Sequence, residues 1–198
     1  MNNREFFNSM AEKWDSTVNH DEEKIKSILD LVGLDEGSNV LDVGTGTGVM
    51  IPFLHAYVGA SGTITAVDEA EKMIEIASIK FSFENVRFIA ADVLNMKLPY
   101  DLFDCIMCYS MFPHFPDKKA AIEKLSIYLK KGGKFVICHS QSRDAINNLH
   151  REASEVVKND RLPPADQISE YFDCASLKTI SIVDNEDMYV VIGQKGLG

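Results

Sequence analysis

Apolar and polar residues alternate along this chain in two periods, one typical of strands and one of helices. Short runs rich in β-branched residues, bounded by turn residues, predict strands at 39–43, 62–68, 85–91, 103–109 and 134–140. Helical periodicity predicts helices at 21–33, 48–58, 70–81, 117–130, 143–159 and 165–174. This alternation indicates a parallel sheet with helices on both faces.

The C-terminal segment breaks the alternation. The stretch "LKTISIVDNEDMYVVIGQK" predicts two strands joined at the turn "DNED", and strands joined so tightly must be antiparallel. The predicted fold is therefore α/β, Rossmann-like and doubly wound, with a seven-stranded, mostly parallel sheet and an antiparallel C-terminal hairpin. We expect one domain over 1–198, with a helical cap at 1–35 and the core at 36–198.

Composition narrows the class of protein further. With 198 residues, of which 45% are hydrophobic and 25% charged, the chain can bury a substantial core. The net charge of −10 disfavours nucleic acid as a partner, since surfaces that follow phosphates are usually basic. No apolar run reaches the roughly 18 residues of a membrane span, and the N-terminal stretch lacks the apolar region of a signal peptide. We therefore expect a cytoplasmic protein without a membrane span.

Two of the four cysteines have the spacing of a C-x-x-C motif. Cys105 and Cys108 lie in "FDCIMCYS", which is predicted to be a buried strand. Because positions three apart on a strand point to opposite faces, a shared metal or a disulfide is disfavoured. We interpret the cysteines as reduced, small apolar side chains, which fits a cytoplasmic protein.

The stretch "VLDVGTGTGVM" carries the main functional signal. Gly44, Gly46 and Gly48 directly follow the first strand, and ligands bind beyond the carboxyl ends of strands in sheets of this type. Glycine allows the backbone to approach a ligand and to adopt dihedral angles that a Cβ disfavours. Asp68 ends the second strand, where a carboxylate can accept hydrogen bonds from both ribose hydroxyls. The pattern predicts a site for a nucleoside-containing cofactor.

The spacing of the glycines argues against a dinucleotide. The G-x-G-x-x-G fingerprint requires a third glycine where this chain has Val49, and some 38 residues precede the first strand. An NAD-dependent oxidoreductase therefore remains a disfavoured alternative.

The same motif resembles the first motif of class I S-adenosylmethionine-dependent methyltransferases. The stretches "AVDEAEKMIEIA", "FIAADVLNMKLPYDLFDCIMC" and "LKKGGKFVICHS" are similar, in order, to later motifs of that family, so the resemblance spans roughly 1–195. The N-terminal "FFNSMAEKWDS" resembles the cap of small-molecule methyltransferases of the ubiquinone-biosynthesis type (methyltransferase type 11). The resemblance implies S-adenosyl-L-methionine as cofactor, S-adenosyl-L-homocysteine as product, and transfer of a methyl group to a small-molecule acceptor by in-line displacement.

The family's cofactor-binding roles carry over to ten positions that match its motifs: Asp42, Gly44, Thr45, Gly46, Gly48, Asp68, Met73, Asp92, Val93 and Tyr109. By resemblance, the glycine loop packs against the methionine part and the ribose, and Asp42 helps to hold the loop and the amino group. Asp68 binds the ribose hydroxyls. Met73, Asp92 and Val93 lie at the adenine, and Tyr109 lies near the sulfonium.

Methyl transfer requires alignment of two reactants and, for many acceptors, removal of a proton. The candidate bases are His114, just after the fourth strand, and His139, at the end of the fifth. As an alternative, His114, His139 and His150 could converge on a metal that orients the acceptor. The site that we predict nevertheless includes no metal. His20 and His55 fall on segments interpreted as helical and are expected to be structural.

The acceptor side of the site is less defined. Arg143 pairs either with an anionic group of the substrate or with a surface carboxylate. Phe6, Phe7 and Trp14 form either a packed helical face or a lid over the cofactor. A small molecule is favoured as the methyl acceptor over a protein or nucleic acid. A protein that binds the cofactor without catalysing methyl transfer remains an alternative. The sequence carries no signal of the oligomeric state.

Overall fold

A computed structural model describes residues 1–197 and contains one seven-stranded sheet. The strands are β1 (Asn39–Val43), β2 (Thr63–Asp68), β3 (Val86–Ala90), β4 (Phe103–Tyr109), β5 (Leu129–His139), β6 (Leu177–Asp184) and β7 (Tyr189–Lys195). Their order across the sheet is β3-β2-β1-β4-β5-β7-β6. The first five strands pair in parallel, and β7 pairs antiparallel with both β5 and β6. The predicted fold class is confirmed.

Helices cover both faces of the sheet. They are α1 (Asn3–Met10), α2 (Trp14–Thr17), α3 (Glu22–Val32), α4 (Ile51–Val58), α5 (Glu71–Lys80), α6 (Lys118–Ser126), α7 (Arg143–Ala153) and α8 (Ala165–Cys174). One core cluster joins α3 and α4 to the sheet, and another joins α6, α7 and α8 to its opposite face. Alternation of buried residues along β4 and β5 supplies both clusters, so the central strands are apolar on both sides.

The prediction of a helix over 117–130 is wrong at its C-terminal end. Helix α6 ends at Ser126, and β5 already begins at Leu129, which is the register partner of Phe103. Gly132 has φ +77°, in the left-handed region that interrupts a helix. Long-range strand pairing therefore overrides the helical period of "LSIYLKKGG".

Two other helices are shorter than the sequence predicts. Helix α4 begins at Ile51 rather than at Gly48, whose φ of +88° is incompatible with a helix. Helix α7 ends at Ala153 rather than near 159, because Ser154 is fully extended (φ −166°, ψ 159°). Both changes leave more irregular backbone beside the carboxyl edge of the sheet.

The cysteines behave as the strand period predicts. Cys105 packs in the cluster with α3 and α4, whereas Cys108 packs in the cluster on the opposite face. Both thiols are unpaired, and burial raises the pKa of Cys105 to about 12, so this thiol stays protonated. Among residues 1–197, no helix has the length and apolar character needed to cross a membrane.

Candidate functional site

The glycine loop after β1 depends on glycine for two separate reasons. Gly44, Gly46 and Gly48 all have positive φ, of +65°, +56° and +88°. A Cβ at Gly44 would lie 2.6 Å from the Cβ of Met111, and one at Gly48 would lie 2.9 Å from the ring of Phe81. The loop therefore combines left-handed backbone with close packing, and Gly48 is used for contact with an aromatic ring of the protein itself.

Asp68 ties the end of β2 to this loop. One of its carboxylate oxygens accepts a hydrogen bond from the backbone N–H of Gly46, and the other accepts one from Ala70, both at 2.9 Å. Burial raises the pKa of this carboxyl. An ionised carboxylate has about four acceptor positions, so two backbone bonds leave room for ribose hydroxyls.

Asp42 and Thr45 bring unpaired polar atoms to the same place. Asp42 is 1% exposed and Thr45 is 3% exposed, yet Asp42 Oδ2 and Thr45 Oγ1 have no hydrogen-bond partner in the described chain. Burial raises the pKa of Asp42 to about 7, against the smaller opposing effect of the neighbouring Thr45 hydroxyl, whose geometry falls short of a hydrogen bond. A ligand ammonium group would supply the missing donors, so the residues present fit the amino-acid part of S-adenosylmethionine.

The residues expected at the adenine have different surroundings. Met73 is buried beneath the N-terminal cap, in a cluster with Ala11 and Ala70. Asp92 caps a short 3-10 helix that begins at Val93, and both of its oxygens accept local hydrogen bonds, from Leu94 N and Asn95 Nδ2. The adenine contacts of Met73, Asp92 and Val93 stay predictions.

Tyr109 ends β4 and connects the sheet to the cap. Its hydroxyl lies 2.8 Å from Ser140 Oγ and 3.0 Å from His20 Nδ1. Burial raises the pKa of Tyr109 to about 12, which keeps the phenol protonated. The placement of His20 on a helix is wrong: it lies in the loop between α2 and α3, because Val18 is extended and α3 begins only at Glu22.

The N-terminal segment covers the glycine loop. Trp14 Nε1 lies 3.9 Å from the position that a Cβ on Gly46 would occupy. Asp15 accepts a hydrogen bond from Thr47 Oγ1 at 2.5 Å and pairs with Lys80 at 2.6 Å. The aromatic ring of Phe7 packs edge-on against both Trp14 and His114, with centroids 5.5 and 5.0 Å apart. Phe7 and Trp14 thus form packed contacts, and Trp14 lies beside the glycine loop. The interpretation as a lid over the cofactor stays a prediction.

His114 forms a pair that the sequence did not indicate. Its Nδ1 lies 2.7 Å from Asp160 Oδ2, and His150 Nδ1 lies 2.7 Å from the backbone oxygen of Asp160. Since both oxygens are acceptors, each Nδ1 carries the proton when the ring is neutral, and each Nε2 is left as the basic nitrogen. The two imidazole rings are 5.0 Å apart. Asp160 lies in the loop before Pro163, where no local pattern signals its role.

His139 is placed very differently from His114. It is 1% exposed, and neither ring nitrogen has a hydrogen-bond partner in residues 1–197. Burial, together with His150 and His114, lowers the pKa of His139 to about 3. Although His114, His139 and His150 are neighbours, the described part of the chain contains no group of three or more His, Cys, Asp or Glu residues arranged to hold a metal. His55 stacks on Phe83 at 3.9 Å, in a packing role.

Two cavities flank the crevice on opposite faces of the sheet. One, of about 590 Å³, opens between α3 and α4 and includes His20 and Phe81 in its lining. The other, of about 360 Å³, lies among α6, α7 and α8 and is lined by Lys118, Arg143 and Arg161 together with neutral polar residues and the apolar segment 162–164.

Comparisons with known proteins agree with this geometry. Demethylmenaquinone methyltransferase of Staphylococcus aureus strain JH9 is 27% identical over 146 residues, which are 71% of this chain but only 60% of that relative. A SAM-dependent methyltransferase from Aquifex aeolicus superposes with a TM-score of 0.73 at 22% identity, covering 94% of this chain and 97% of the other. A Haloferax volcanii methyltransferase, solved with the Trm112 activator, gives a TM-score of 0.78 at 18% identity, covering 96% and 97%.

At these identities the two structural matches establish the fold alone. The sequence profile of the family described as "Methyltransferase domain" matches residues 34–191, which is most of the chain. The resemblance to class I S-adenosylmethionine-dependent methyltransferases is thereby confirmed. The glycine loop after β1, the acid at the end of β2 and the reversed β7 are thus the features of a chain that belongs to the methyltransferase domain family.

Proposed function

We propose that this protein transfers a methyl group from S-adenosyl-L-methionine to a small-molecule acceptor. The observation that carries the proposal is the pair of buried, unpartnered oxygens of Asp42 and Thr45 beside the glycine loop. Unsatisfied polar atoms at such depth are costly, and a ligand that supplies donors removes the cost. Membership of the methyltransferase domain family supports the identity of that ligand.

Different residues of the chain are proposed to bind different parts of the cofactor. Asp42 and Thr45 would accept hydrogen bonds from its amino group, and Asp68 would accept them from the ribose hydroxyls. Met73, with Val93 and Asp92, would contact the adenine, and Tyr109 would contact the part of the cofactor that carries the sulfur. When bound, the cofactor supplies an electrophilic methyl group on a sulfonium.

His114 is the proposed general base, and Asp160 is its positioning residue. The Asp160 carboxylate accepts the Nδ1 proton of His114, which leaves Nε2 free to take the proton that the acceptor's hydroxyl, thiol or amine loses. His139 is the less suitable of the two predicted bases. With a pKa lowered to about 3, its imidazole is a weak proton acceptor near neutral pH.

The cap excludes water from the reaction. The segment 1–17 contacts α5 through a small apolar cluster that includes Ala11 and Met73, and through exposed ion pairs such as Arg4–Glu71. The cluster is small and exposed ion pairs contribute little stability, so the segment 1–17 can open to admit ligands and close afterwards, while α3 stays packed in the main core. We also propose a cytoplasmic location, because Cys105, Cys108 and Cys138 are unpaired thiols.

Calorimetric titration with S-adenosylmethionine, S-adenosylhomocysteine and NAD tests the cofactor. We expect micromolar binding of the first two, its loss in Asp68→Ala, and retention in the matched control Asp35→Ala, which changes an exposed acid in the turn before β1. The titration is repeated after chelation, which is expected to change nothing. Binding of NAD alone, or of none of the three, would refute the proposal, and binding without product formation across an acceptor panel would favour a non-catalytic binding protein.

A further inference from the structure

A cavity among α6, α7 and α8 brings three cationic side chains together in an acidic protein. The chain has a net charge of −10, yet the 360 Å³ cavity is lined by Lys118, Arg143 and Arg161. These residues come from three separate places: the start of α6, the start of α7 and the segment before α8. Their convergence therefore depends on the tertiary fold.

Two of the three cations lack a carboxylate partner. Arg143 is paired with Asp184 at 3.3 Å and with Asp144 at 3.6 Å. In contrast, no carboxylate of residues 1–197 lies within 4.0 Å of the Lys118 or Arg161 cation. Lys118 Nζ instead donates to the backbone oxygen of Phe115 at 3.0 Å. The charges of Asp160 and Asp117 act on Lys118 from beyond ion-pair distance. The cavity wall thus carries two cations, Lys118 and Arg161, that are not engaged in a direct ion pair.

The neutral polar residues of the cavity add hydrogen-bond donors and rigidity. Asn147 holds the backbone of Leu162 by two hydrogen bonds, of 2.8 and 3.1 Å, which orders the segment that carries Arg161. Gln167 donates to the hydroxyl oxygen of Tyr171 at 2.7 Å, so the phenol proton remains available to a ligand. Ammonium, guanidinium and phenol groups together match an oxyanion.

Helix α7 connects the wall of the cavity to the surroundings of the proposed base. Arg143, Asn147 and His150 are spaced i, i+4 and i+7 along α7, so they lie on one face of that helix. His150 bonds to the backbone of Asp160, whose side chain bonds to His114. One face of α7 and the loop residue Asp160 therefore link the cavity wall to His114.

His139 gives an independent sign of an incomplete site on the same side of the sheet. It is the register partner of Tyr189, whose hydroxyl donates to the backbone oxygen of Pro163 at 3.0 Å, in the cavity lining. Both of its ring nitrogens are buried without a partner in the described chain. A polar ligand that extends from the cavity toward the crevice would satisfy them.

We infer that the methyl acceptor is a small anion whose phosphate or carboxylate group binds between Lys118, Arg143 and Arg161 and directs its nucleophilic atom toward His114. The inference rests on the proposed function and narrows its substrate class. It also gives Arg143 a role that the sequence left open, with Asp144 and Asp184 orienting its guanidinium.

The first test uses inorganic phosphate and acetate as probes, titrated into protein saturated with S-adenosylhomocysteine at constant ionic strength. We expect millimolar binding of one probe, weakened about tenfold in Lys118→Gln and in Arg161→Gln because each removes a charged donor. The matched controls are Lys119→Gln and Arg151→Gln, whose exposed side chains do not line the cavity. Binding of phosphate alone indicates a phosphorylated acceptor, and binding of acetate indicates a carboxylate.

The second test compares acceptor candidates in matched pairs with and without the anionic group, such as ethanolamine with phosphoethanolamine and phenol with hydroxybenzoate. Release of S-adenosylhomocysteine is expected only from anionic members and is expected to fall in Arg161→Gln. Equal probe affinity in all variants, no probe binding, or equal turnover of neutral members overturns the inference. Failure of wild type to bind S-adenosylhomocysteine overturns the proposed function instead, so the two failures are distinguishable.

Discussion

Replacement of Asp42 by asparagine tests the central feature of the site. Asp42 lies on β1 and is 1% exposed, and one of its oxygens has no partner in residues 1–197. Burial raises its pKa from 3.8 to about 7; the neighbouring Thr45 hydroxyl opposes this rise in part, and the nearby charge of Asp68 adds to it. The Asp42→Asn substitution would keep the shape of the side chain and remove its charge.

The size of the effect follows from linkage. One pH unit of pKa displacement corresponds to about 1.4 kcal/mol, so the gap between 3.8 and about 7 corresponds to roughly 4 kcal/mol. Because the pKa of Asp42 is higher in the folded state, its contribution to stability is fully present below pH 3.8. That contribution is lost as the pH rises through about 7. Relative to Asp42→Asn, wild type should therefore lose stability across this window.

Urea denaturation of both proteins, from pH 4 to pH 8.5, measures the difference. Every other titrating group is common to the two proteins, so the difference between their free energies of unfolding isolates Asp42. We expect a difference near zero at pH 4 and an advantage of up to about 4 kcal/mol for Asp42→Asn at pH 8. Asp30→Asn, on the exposed side of α3, is the surface control and should show no such trend.

The gain in stability should come with a loss of binding. An amide cannot neutralise the ammonium group of the cofactor, so S-adenosylhomocysteine should bind Asp42→Asn at least about tenfold more weakly than wild type. A stability difference that does not change with pH, or a variant less stable than wild type at pH 8, would show that Asp42 is already well paired. That result would remove the main support for the proposed function.

Three further changes test other parts of the site. In a thermal melt, Gly44→Ala should lose about 1–2 kcal/mol of unfolding free energy because of its left-handed backbone, and more because the new methyl group meets Met111. The control Gly196→Ala, which has open space around it, should cost little. Asp160→Asn should lower kcat at least tenfold and leave the affinity for S-adenosylhomocysteine unchanged. The ¹⁵N chemical shifts of the His114 ring should report a changed tautomer. An unchanged kcat together with a changed tautomer would contradict the assignment of His114 as the base. Asp15→Asn should speed dissociation of S-adenosylhomocysteine in stopped-flow while changing stability by less than about 1 kcal/mol; an unchanged dissociation rate would argue against a lid.

Sequence alone determined the features that depend on local order. The strand–glycine–helix spacing placed Asp42 and Gly44 at the carboxyl end of β1, and the next strand placed Asp68 beside them. Since carboxyl ends of parallel strands meet at one edge of a sheet, this half of the site followed from the succession of elements. The reversed hairpin followed in the same way, from a turn too short for a parallel crossover.

Only the tertiary structure decided the features that join distant segments. Asp160 reaches His114 across 46 residues, and His20 reaches Tyr109 across 89. The hydrophobic pattern of the sequence does not indicate either pair, because each partner lies in a loop or at the end of a helix or strand, where that periodicity carries no information. The early start of β5 has the same origin. Pairing with β4 and packing on both faces outweigh local helix propensity there, and such contacts exist only once the chain is folded.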